Sequence, residues 1–251
     1  MMSSHNINDV IPGEDNQKTD TEWAVCIQAQ LQHWLPEQSA ACCTTASIDL
    51  PVPDIEKIIV ANAVSSRQAE FIAGRWCAHL ALEKIGSPAA LILADKLYGP
   101  TWPVDVAGSI THESGICLAV VTRASSVKGI GVDLFDTRRK KDINEISHLI
   151  LTKEEAVKRD TSEDSLLFTQ LAFSAKEAVV KAISKKIGRF LDLREIQLSF
   201  DAEFFEASLK DFPDRICGRW AQIGSFLLTF AVLERISYEC TVSLPPNAEA
   251  R

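Results

Sequence analysis

The chain has 251 residues, of which 46% are hydrophobic and 24% are charged, and its formal net charge is −8. This composition is typical of a soluble globular protein with one large domain or two small ones. An acidic chain lacks the basic face that broad nucleic-acid binding requires, so no nucleic-acid partner is expected. A few lysines and arginines can still form a local site for a small anion.

The cysteines and the N-terminus indicate a cytoplasmic protein. The seven cysteines are odd in number and form no Cys-x-x-Cys pair, which favours reduced thiols over a disulfide or zinc framework. Residues 1–20 are polar and are predicted to be disordered, not a signal peptide. No segment approaches the ~20 apolar residues of a membrane-spanning helix, so no membrane span is expected.

A long helix dominates the predicted N-terminal half. Residues 22–35 form a short apolar element, and a proline-bracketed loop follows it. From about Asp54 the apolar residues recur at helical spacing until Gly86 ends the run. Arg67 and Arg75 are eight residues apart in this helix, close to two turns, so they lie on roughly one face.

β-rich runs follow the helix, and their short polar breaks predict an antiparallel meander. The C-terminal part repeats the order, with helical stretches before further β-rich runs. We therefore predict an α/β (α+β) fold of two similar halves with pseudo-twofold symmetry, residues 21–125 and 126–251. The β-rich runs are 104–112, 115–122, 127–133, 194–200, 217–223, 225–233 and 236–244, and the later helices are 142–158 and 165–186.

Taken one at a time, the chemically active residues have ordinary explanations. Asp133 closes an apolar strand, where a carboxylate faces either a cleft or a solvated turn. Glu177 and Lys181 are four residues apart on a helix, and such a pair is most often a surface ion pair worth about 0.3–0.5 kcal/mol. Lys176 has the same interpretation, and His112 could equally be a half-buried strand histidine.

Five motifs, taken together and in order, favour a functional site. The motifs are Arg67-Gln-Ala-Glu-Phe-Ile-Ala-Gly-Arg75, Pro100-Thr-Trp-Pro103 with Gly108-Ser-Ile-Thr-His112, Gly131-Val-Asp-Leu-Phe135, Phe173-Ser-Ala-Lys-Glu-Ala-Val-Val-Lys181 and Gly218-Arg-Trp220. In residue type and order they resemble the Sfp-type (enterobactin-synthetase-associated) 4′-phosphopantetheinyl transferase family. The resemblance extends from Arg67 to Trp220, and its helix motif is the most specific part.

The resemblance implies the 4′-phosphopantetheinyl transferase fold, with coenzyme A bound in the cleft between the halves. It implies transfer of the 4′-phosphopantetheine arm of coenzyme A to a serine of an apo acyl or peptidyl carrier protein. The second product is adenosine 3′,5′-bisphosphate. Siderophore, nonribosomal peptide, polyketide and fatty-acid synthesis all use such carriers, and the sequence does not distinguish among them. A monomer is expected, since this type carries both halves on one chain.

The same resemblance assigns roles to individual residues. Asp133 and Glu177 would hold Mg²⁺, or Mn²⁺, through the hard carboxylate oxygens that suit such cations. Glu177 would also accept the proton of the carrier serine. The remaining candidates would hold phosphate oxygens. They are Lys176 and Lys181 on the helix, Thr111 and His112 at the 3′-phosphate, Arg67 and Arg75, and Lys96 as a weaker candidate on the loop before the Trp-Pro segment.

The chain departs from the family pattern at two places. The third acid, two residues after the aspartate, is replaced by Phe135, and Asp136 follows one residue later. Strand alternation puts Asp136 on the opposite face from Asp133 unless the strand ends or bulges there, so we predict a two-carboxylate site with additional water ligands. A basic residue expected near Pro100 has no clear equivalent, and Lys96 is the candidate to replace it.

The partner and the activity leave alternatives open. Carrier proteins are acidic around the modified serine, so basic clusters at Arg138–Lys141 and at Lys185, Lys186 and Arg189 could form a docking surface. They could also be ordinary helix-flanking charges. One alternative function is a non-catalytic coenzyme A or carrier-protein binding module, which Phe135 favours. Another is a metal-dependent nucleotide pyrophosphatase, which shares the same metal and phosphate chemistry.

Overall fold

The computed structural model describes residues 18–234, except 126, 140–142 and 144. The predicted disordered N-terminus lies almost entirely outside these residues, and the predicted strand 236–244 lies wholly outside them. The helices are α1 (Asp20–Trp34), α2 (Asp54–Lys57), α3 (Ser65–Lys84), α4 (Ser147–Ile150), α5 (Lys153–Asp160) and α6 (Ser165–Ile187). The strands are β1 (Ser39–Thr45), β2 (Val106–Glu113), β3 (Ile116–Arg123), β4 (Gly129–Asp136), β5 (Ile196–Asp201), β6 (Phe204–Leu209), β7 (Phe212–Ile223) and β8 (Phe226–Leu233). No helix among the described residues is long and apolar enough to cross a membrane.

Two antiparallel sheets form the framework of the described residues, and each belongs to one half of the chain. The first sheet has the strand order β1-β3-β2, and the second has the order β4-β8-β7-β6-β5. Each half contains one repeated unit, in which a strand and a long helix precede a hairpin whose last strand pairs with the first strand. The unit is β1-α3-β2-β3 in the first half and β4-α6-β7-β8 in the second. The prediction of an α+β fold with two similar halves is confirmed.

The predicted three-strand meander is only partly right. β2 and β3 form a hairpin, but β4 leaves their sheet and pairs with β8. β4 still runs beside β2, where the backbone N–H of Val132 donates to the Ser109 hydroxyl at 3.0 Å. The sequence pattern also places β1 in a loop, because its small residues (SAACCTT) carry a weak strand signal. The seam between β2 and β4 is where the two halves meet.

Helix α6 lies unusually close to β4 because two strand residues lack side chains. A Cβ atom on Gly129 would overlap the carbonyl oxygen of Ala182, and a Cβ on Gly131 would overlap that of Ala178. Glycine therefore permits the close approach of the helix to the strand. This approach sets α6 directly over Asp133, which is two residues beyond Gly131 in the same strand.

Helix α1 packs across both sheets and covers their shared core. Its buried residues Trp23, Ile27 and Leu31 join a cluster with residues from β3, β4 and β8. The Trp23 ring packs edge-on against Phe226 of β8, with ring centroids 6.1 Å apart. Since this core includes apolar residues of both halves, its burial holds the β2–β4 seam in a fixed geometry.

Candidate active site

Asp133 is the hub of a polar cluster at the seam. The residue is only 7% exposed. Its Oδ1 accepts hydrogen bonds from Lys181 Nζ at 2.7 Å and from Thr111 Oγ1 at 3.2 Å, and its Oδ2 accepts one from Ser174 Oγ at 2.9 Å. These donors come from α6 and β2, so the cluster exists only when the two halves are together.

Lys181 joins the two halves through a single ammonium group. Besides Asp133, its Nζ donates to Thr111 Oγ1 at 3.1 Å and to the carbonyl oxygen of Val132 at 3.0 Å. Its side chain remains 28% exposed. The ammonium is therefore fixed in position beside the carboxylates while still open to an anionic ligand.

Glu177 lies one helical turn before Lys181 and differs from its neighbours, because no described residue donates a hydrogen bond to its carboxylate. Burial raises the pKa of Glu177, and the nearby charge of Asp133 raises it further, whereas Lys181 lowers it. A carboxylate with free lone pairs and raised basicity can accept a proton or ligate a cation. Glu177 is thus the group of the cluster with free capacity to bind a proton or a cation.

The donor set fits a divalent metal such as Mg²⁺. Asp133 and Glu177 supply hard carboxylate oxygens that lie close enough for the charge of one to shift the pKa of the other. Within the described part of the chain, no group of three or more His, Cys, Asp or Glu side chains could hold a metal ion. Mg²⁺ is commonly bound through one or two carboxylates and completes its octahedron with waters or substrate oxygens. A two-carboxylate site meets that requirement.

Asp136 is not brought to this site. β4 continues without a register shift through Asp136, so Phe135 shares the face of Asp133 and Asp136 points the other way. Phe135 is 4% exposed and packs edge-on against Phe173 of α6, with centroids 5.7 Å apart. The Asp136 carboxylate instead accepts hydrogen bonds from the Arg138 guanidinium at 2.6–3.1 Å and from Ser114 Oγ at 2.8 Å.

Lys176 also lies away from the site, in contrast to the phosphate role that the resemblance implies. Its side chain is fully buried, and its Nζ donates to Glu155 Oε2 at 2.6 Å and to the carbonyl oxygen of Ile150 at 2.8 Å. Glu155 caps α5 and also accepts from the backbone N–H of Leu198. The predicted helical stretch 142–158 is divided between α4 and α5. The Lys176 side chain of α6 binds both, through Ile150 and Glu155. The enclosed ammonium is therefore not presented to the Asp133 cluster.

Thr111 and His112 leave β2 in opposite directions, as successive strand residues do. Thr111 faces Asp133, whereas His112 faces α3 and contacts Arg67 and Glu70. The structure therefore does not bring their side chains together at one phosphate. It does bring His112 and Arg67 together, since Arg67 Nη1 contacts His112 Nε2.

The other two basic candidates have different surroundings. Arg75 is 5% exposed, and burial lowers its pKa to about 10 while Glu56 opposes the shift. No described residue accepts a hydrogen bond from the buried Nε of Arg75. Lys96 is exposed on the loop between α3 and β2, and the structure does not join it to the Asp133 cluster.

The basic residues predicted to dock a carrier are mostly engaged within the chain. Four of the five that the structure describes form ion pairs. The pairs are Arg138–Asp136, Arg139–Glu113, Lys186–Asp214 and Arg189–Glu195. Lys185 is exposed, while Lys140 and Lys141 lie outside the described residues. These internal pairs reduce the positive charge available to an acidic partner.

Sequence reasoning missed three residues that hold the candidate residues in place. Ser174 lies three residues before Glu177 and seven before Lys181, so helical spacing alone could have placed it on the same face. Glu70 lies within a recognised motif but carried no assigned role. Glu155 gave no signal, because its partner Lys176 is 21 residues away in sequence.

Comparison with known proteins identifies the family. Residues 55–122 match the 4′-phosphopantetheinyl transferase N-terminal domain, and residues 129–229 match the 4′-phosphopantetheinyl transferase superfamily. The 4′-phosphopantetheinyl transferase PptT of Mycobacterium tuberculosis is 34% identical over 199 residues, which cover 73% of this chain and 86% of that protein. The chain belongs to the 4′-phosphopantetheinyl transferase family.

Further relatives of the transferase agree with this assignment. The 4′-phosphopantetheinyl transferase Svp of Streptomyces mobaraensis is 31% identical over 215 residues, covering 81% of this chain and 87% of that protein. Enterobactin synthase component D of Salmonella typhi is 35% identical over 127 residues, covering 50% of this chain and 52% of that protein. The resemblance drawn from the motifs is confirmed. The protein is a phosphopantetheinyl transferase that activates carrier proteins, and a non-catalytic binding module is not favoured.

Proposed function

We propose that the transferase moves the 4′-phosphopantetheine arm of coenzyme A to a carrier-protein serine at the Asp133–Glu177 pair, with Mg²⁺ as cofactor. The observation that carries the proposal is the contrast within the cluster. Asp133 is held by three side-chain donors, whereas the adjacent Glu177 has none among the described residues. The Asp133 carboxylate is fixed in place, whereas the Glu177 carboxylate is available to bind a proton or a cation.

The metal proposal rests on the donor chemistry of the two carboxylates. Asp133 and Glu177 would hold Mg²⁺, or Mn²⁺ in its place, which when bound neutralises charge on the pyrophosphate oxygens of coenzyme A. Lys181 adds a second positive charge beside Asp133, where its ammonium is already oriented by Thr111 and Val132. Preorganised charge of this kind stabilises a leaving phosphate without reorganisation during the reaction.

Glu177 is proposed to act as the general base. The serine oxygen forms a bond to the β-phosphorus of the pyrophosphate, and the bond from that phosphorus to adenosine 3′,5′-bisphosphate breaks. The serine proton passes to the Glu177 carboxylate, directly or through one water. Without the metal, burial and the charge of Asp133 raise the pKa of Glu177, so its carboxylate binds a proton more readily than an ordinary glutamate does.

The basic residues of the first half are proposed to bind the remaining phosphates of coenzyme A. Arg67 and His112 lie together and are half-exposed, which suits the 3′-phosphate. Arg75 offers a buried Nε without a described acceptor, and such a group gains most when a ligand satisfies it. Lys96 remains a candidate for an outer phosphate contact, because its loop precedes β2.

The partner is proposed to be an acidic acyl or peptidyl carrier protein in the cytoplasm, with the transferase acting as a monomer. The relatives include a component of enterobactin synthase, so siderophore or other secondary-metabolite carriers are the first to test. Fatty-acid carriers present a similar serine and belong in the same panel.

The test is incubation with coenzyme A, Mg²⁺ and a panel of apo carrier domains. We expect a mass increase of one phosphopantetheine arm on the carrier serine, together with adenosine 3′,5′-bisphosphate in equal amount. Release of free phosphopantetheine to water would instead indicate a pyrophosphatase. Binding of coenzyme A without turnover under saturating Mg²⁺ or Mn²⁺ would contradict the proposal.

A further inference from the structure

Glu70 lies at the centre of a cluster with Arg67 and His112. The proposed transfer assigns roles to the arginine and the histidine but none to the glutamate. Its Oε2 lies 3.2 Å from His112 Nδ1 and 3.7 Å from Arg67 Nη1, and Arg67 Nη1 in turn contacts His112 Nε2. Arg67 and Glu70 are three residues apart at the start of α3, so their side chains are neighbours on the helix surface. His112 reaches them from the end of β2.

These contacts define the hydrogen-bonding state of the His112 ring. A guanidinium only donates, so the Nε2 that faces Arg67 must be the unprotonated nitrogen. Nδ1 then carries the ring hydrogen, and it lies 3.2 Å from Glu70 Oε2. For the ring to donate to an arriving phosphate, Arg67 must release Nε2 and turn to the phosphate, and the ring must take up a solvent proton at Nε2. With Nδ1 facing Glu70, Nε2 is the nitrogen presented to the anion.

The charges around the ring favour the same role for Glu70. Burial lowers the pKa of His112, and the cations Arg67 and Lys181 lower it further, whereas Glu70 and the more distant Asp133 raise it. Glu70 is the carboxylate within ion-pair distance of the ring nitrogen Nδ1. It also lies within ion-pair distance of Arg67, so one carboxylate steadies both of the donors.

We propose that Glu70 is a positioning residue for the 3′-phosphate of coenzyme A. It orients His112 Nε2 and the Arg67 guanidinium toward one oxygen-rich group and does not itself touch the substrate. The inference rests on the proposed function, in which Arg67 and His112 bind that phosphate. A carboxylate can thus build an anion site, because the Arg67 guanidinium and the His112 ring, once protonated on phosphate binding, compensate its charge.

The test compares coenzyme A with 3′-dephospho-coenzyme A, which differ only in the group that Glu70 serves. For Glu70→Ala we expect KM for coenzyme A to rise about tenfold, the scale of one lost hydrogen bond to a charged group. KM for the dephospho form and kcat for both substrates should stay unchanged. Glu70→Gln should recover most of the affinity, because its amide oxygen can take the place of the carboxylate oxygen beside Nδ1. Glu83→Ala, an exposed glutamate near the end of α3, is the matched control and should change neither KM.

A binding measurement separates this inference from the transfer reaction itself. Calorimetry with adenosine 3′,5′-bisphosphate and with adenosine 5′-monophosphate needs no turnover. We expect wild type to prefer the bisphosphate and Glu70→Ala to lose that preference while keeping its melting temperature. If wild type transfers the arm but Glu70→Ala weakens both ligands equally, or neither, the Glu70 proposal is wrong and the proposed function stands. If wild type prefers the bisphosphate through Glu70 but transfers nothing, the proposed function fails alone.

Discussion

Helix α6 contributes the lysines of two ion pairs, five residues apart, and the two pairs have different surroundings. Lys176 and Glu155 are 2.6 Å apart, and neither side chain is exposed. Lys181 and Asp133 are 2.7 Å apart, but their side chains are 28% and 10% exposed. The first pair ties α4, α5 and β5 to the helix, whereas the second lies at the seam between the halves beside Glu177.

The difference shows that burial and leftover bonding capacity, not residue type, distinguish a structural pair from a chemical one. Glu155 directs both oxygens to partners within the fold, namely Leu198, Thr152 and Lys176. The Lys181 pair borders a carboxylate that has no described donor and whose pKa is raised. The Lys176–Glu155 pair, whose oxygens are all occupied, stabilises the packing of helix α6. The Lys181–Asp133 pair lies beside Glu177, a carboxylate without described donors, and such a pair can support a reaction.

The largest effect is expected at Glu177. Glu177→Gln should lower carrier modification by about 10²–10⁴-fold, because the variant loses the general base and a metal-ligating oxygen. Burial raises the pKa of Glu177 in the folded protein, so its charged form costs stability at pH values above the pKa of the unfolded chain. The neutral amide removes that cost, and the melting temperature should hold or rise. Mass spectrometry of the carrier and thermal unfolding test the two halves of this prediction.

A matched control for Glu177→Gln is Glu154→Gln, an exposed glutamate on α5. It should change neither carrier modification nor melting temperature. Full activity in Glu177→Gln would remove Glu177 from the mechanism and would reduce the contrast between the two pairs to one of burial alone.

The next largest effect is expected at Lys176. Lys176→Met leaves Glu155 buried without its cation and should cost about 3–5 kcal/mol in the free energy of unfolding. Lys181→Met, at a pair whose lysine is partly exposed, should cost less, about 1–3 kcal/mol, because Asp133 keeps its hydrogen bonds from Thr111 and Ser174. Urea denaturation measures both losses. The contrast fails if the two substitutions cost the same.

Activity should respond in the reverse order. Lys176→Met should keep its KM for coenzyme A in the fraction that remains folded, because its ammonium touches no substrate. Lys181→Met should impair transfer, since its ammonium lies in the proposed site. A raised KM for coenzyme A in folded Lys176→Met would restore the phosphate role that the resemblance implies.

The sequence could predict the Lys181–Asp133 pair and its neighbour Glu177, but not the Lys176–Glu155 pair. Asp133, Glu177 and Lys181 sit in motifs whose helical and strand spacing brings them together once α6 packs on β4. The burial of Lys176 depends on Glu155, which lies on another helix. The helical pattern over 142–158 does not indicate the break between α4 and α5. Likewise, β4 looked like the third strand of a meander, because its pairing with β8 lies about 100 residues away in sequence and has no local signal.

A smaller effect is expected at Phe135, where a third acid can be introduced beside Asp133. Phe135→Glu places a carboxylate in an apolar position against Phe173, so it should lower the melting temperature without a divalent cation. Added Mg²⁺ should raise its melting temperature more than that of wild type, because a third ligand strengthens binding to the folded state. Phe135→Leu is the control, with little destabilisation and no added response to Mg²⁺. An unchanged Mg²⁺ response in Phe135→Glu would place the metal elsewhere.

The smallest effect on transfer is expected at Asp136, the acid on the opposite face of β4. Asp136→Asn should leave carrier modification within about twofold of wild type and cost about 1 kcal/mol or less in stability, since its partner Arg138 is largely solvent-exposed. Unlike Asp133, this carboxylate directs its oxygens to Arg138 and Ser114. The Asp136–Arg138 pair therefore resembles the Lys176–Glu155 pair more than the Lys181–Asp133 pair. If Asp136→Asn abolished both transfer and the thermal response to Mg²⁺, Asp136 would be the missing metal ligand, and β4 would have to bulge when the metal binds.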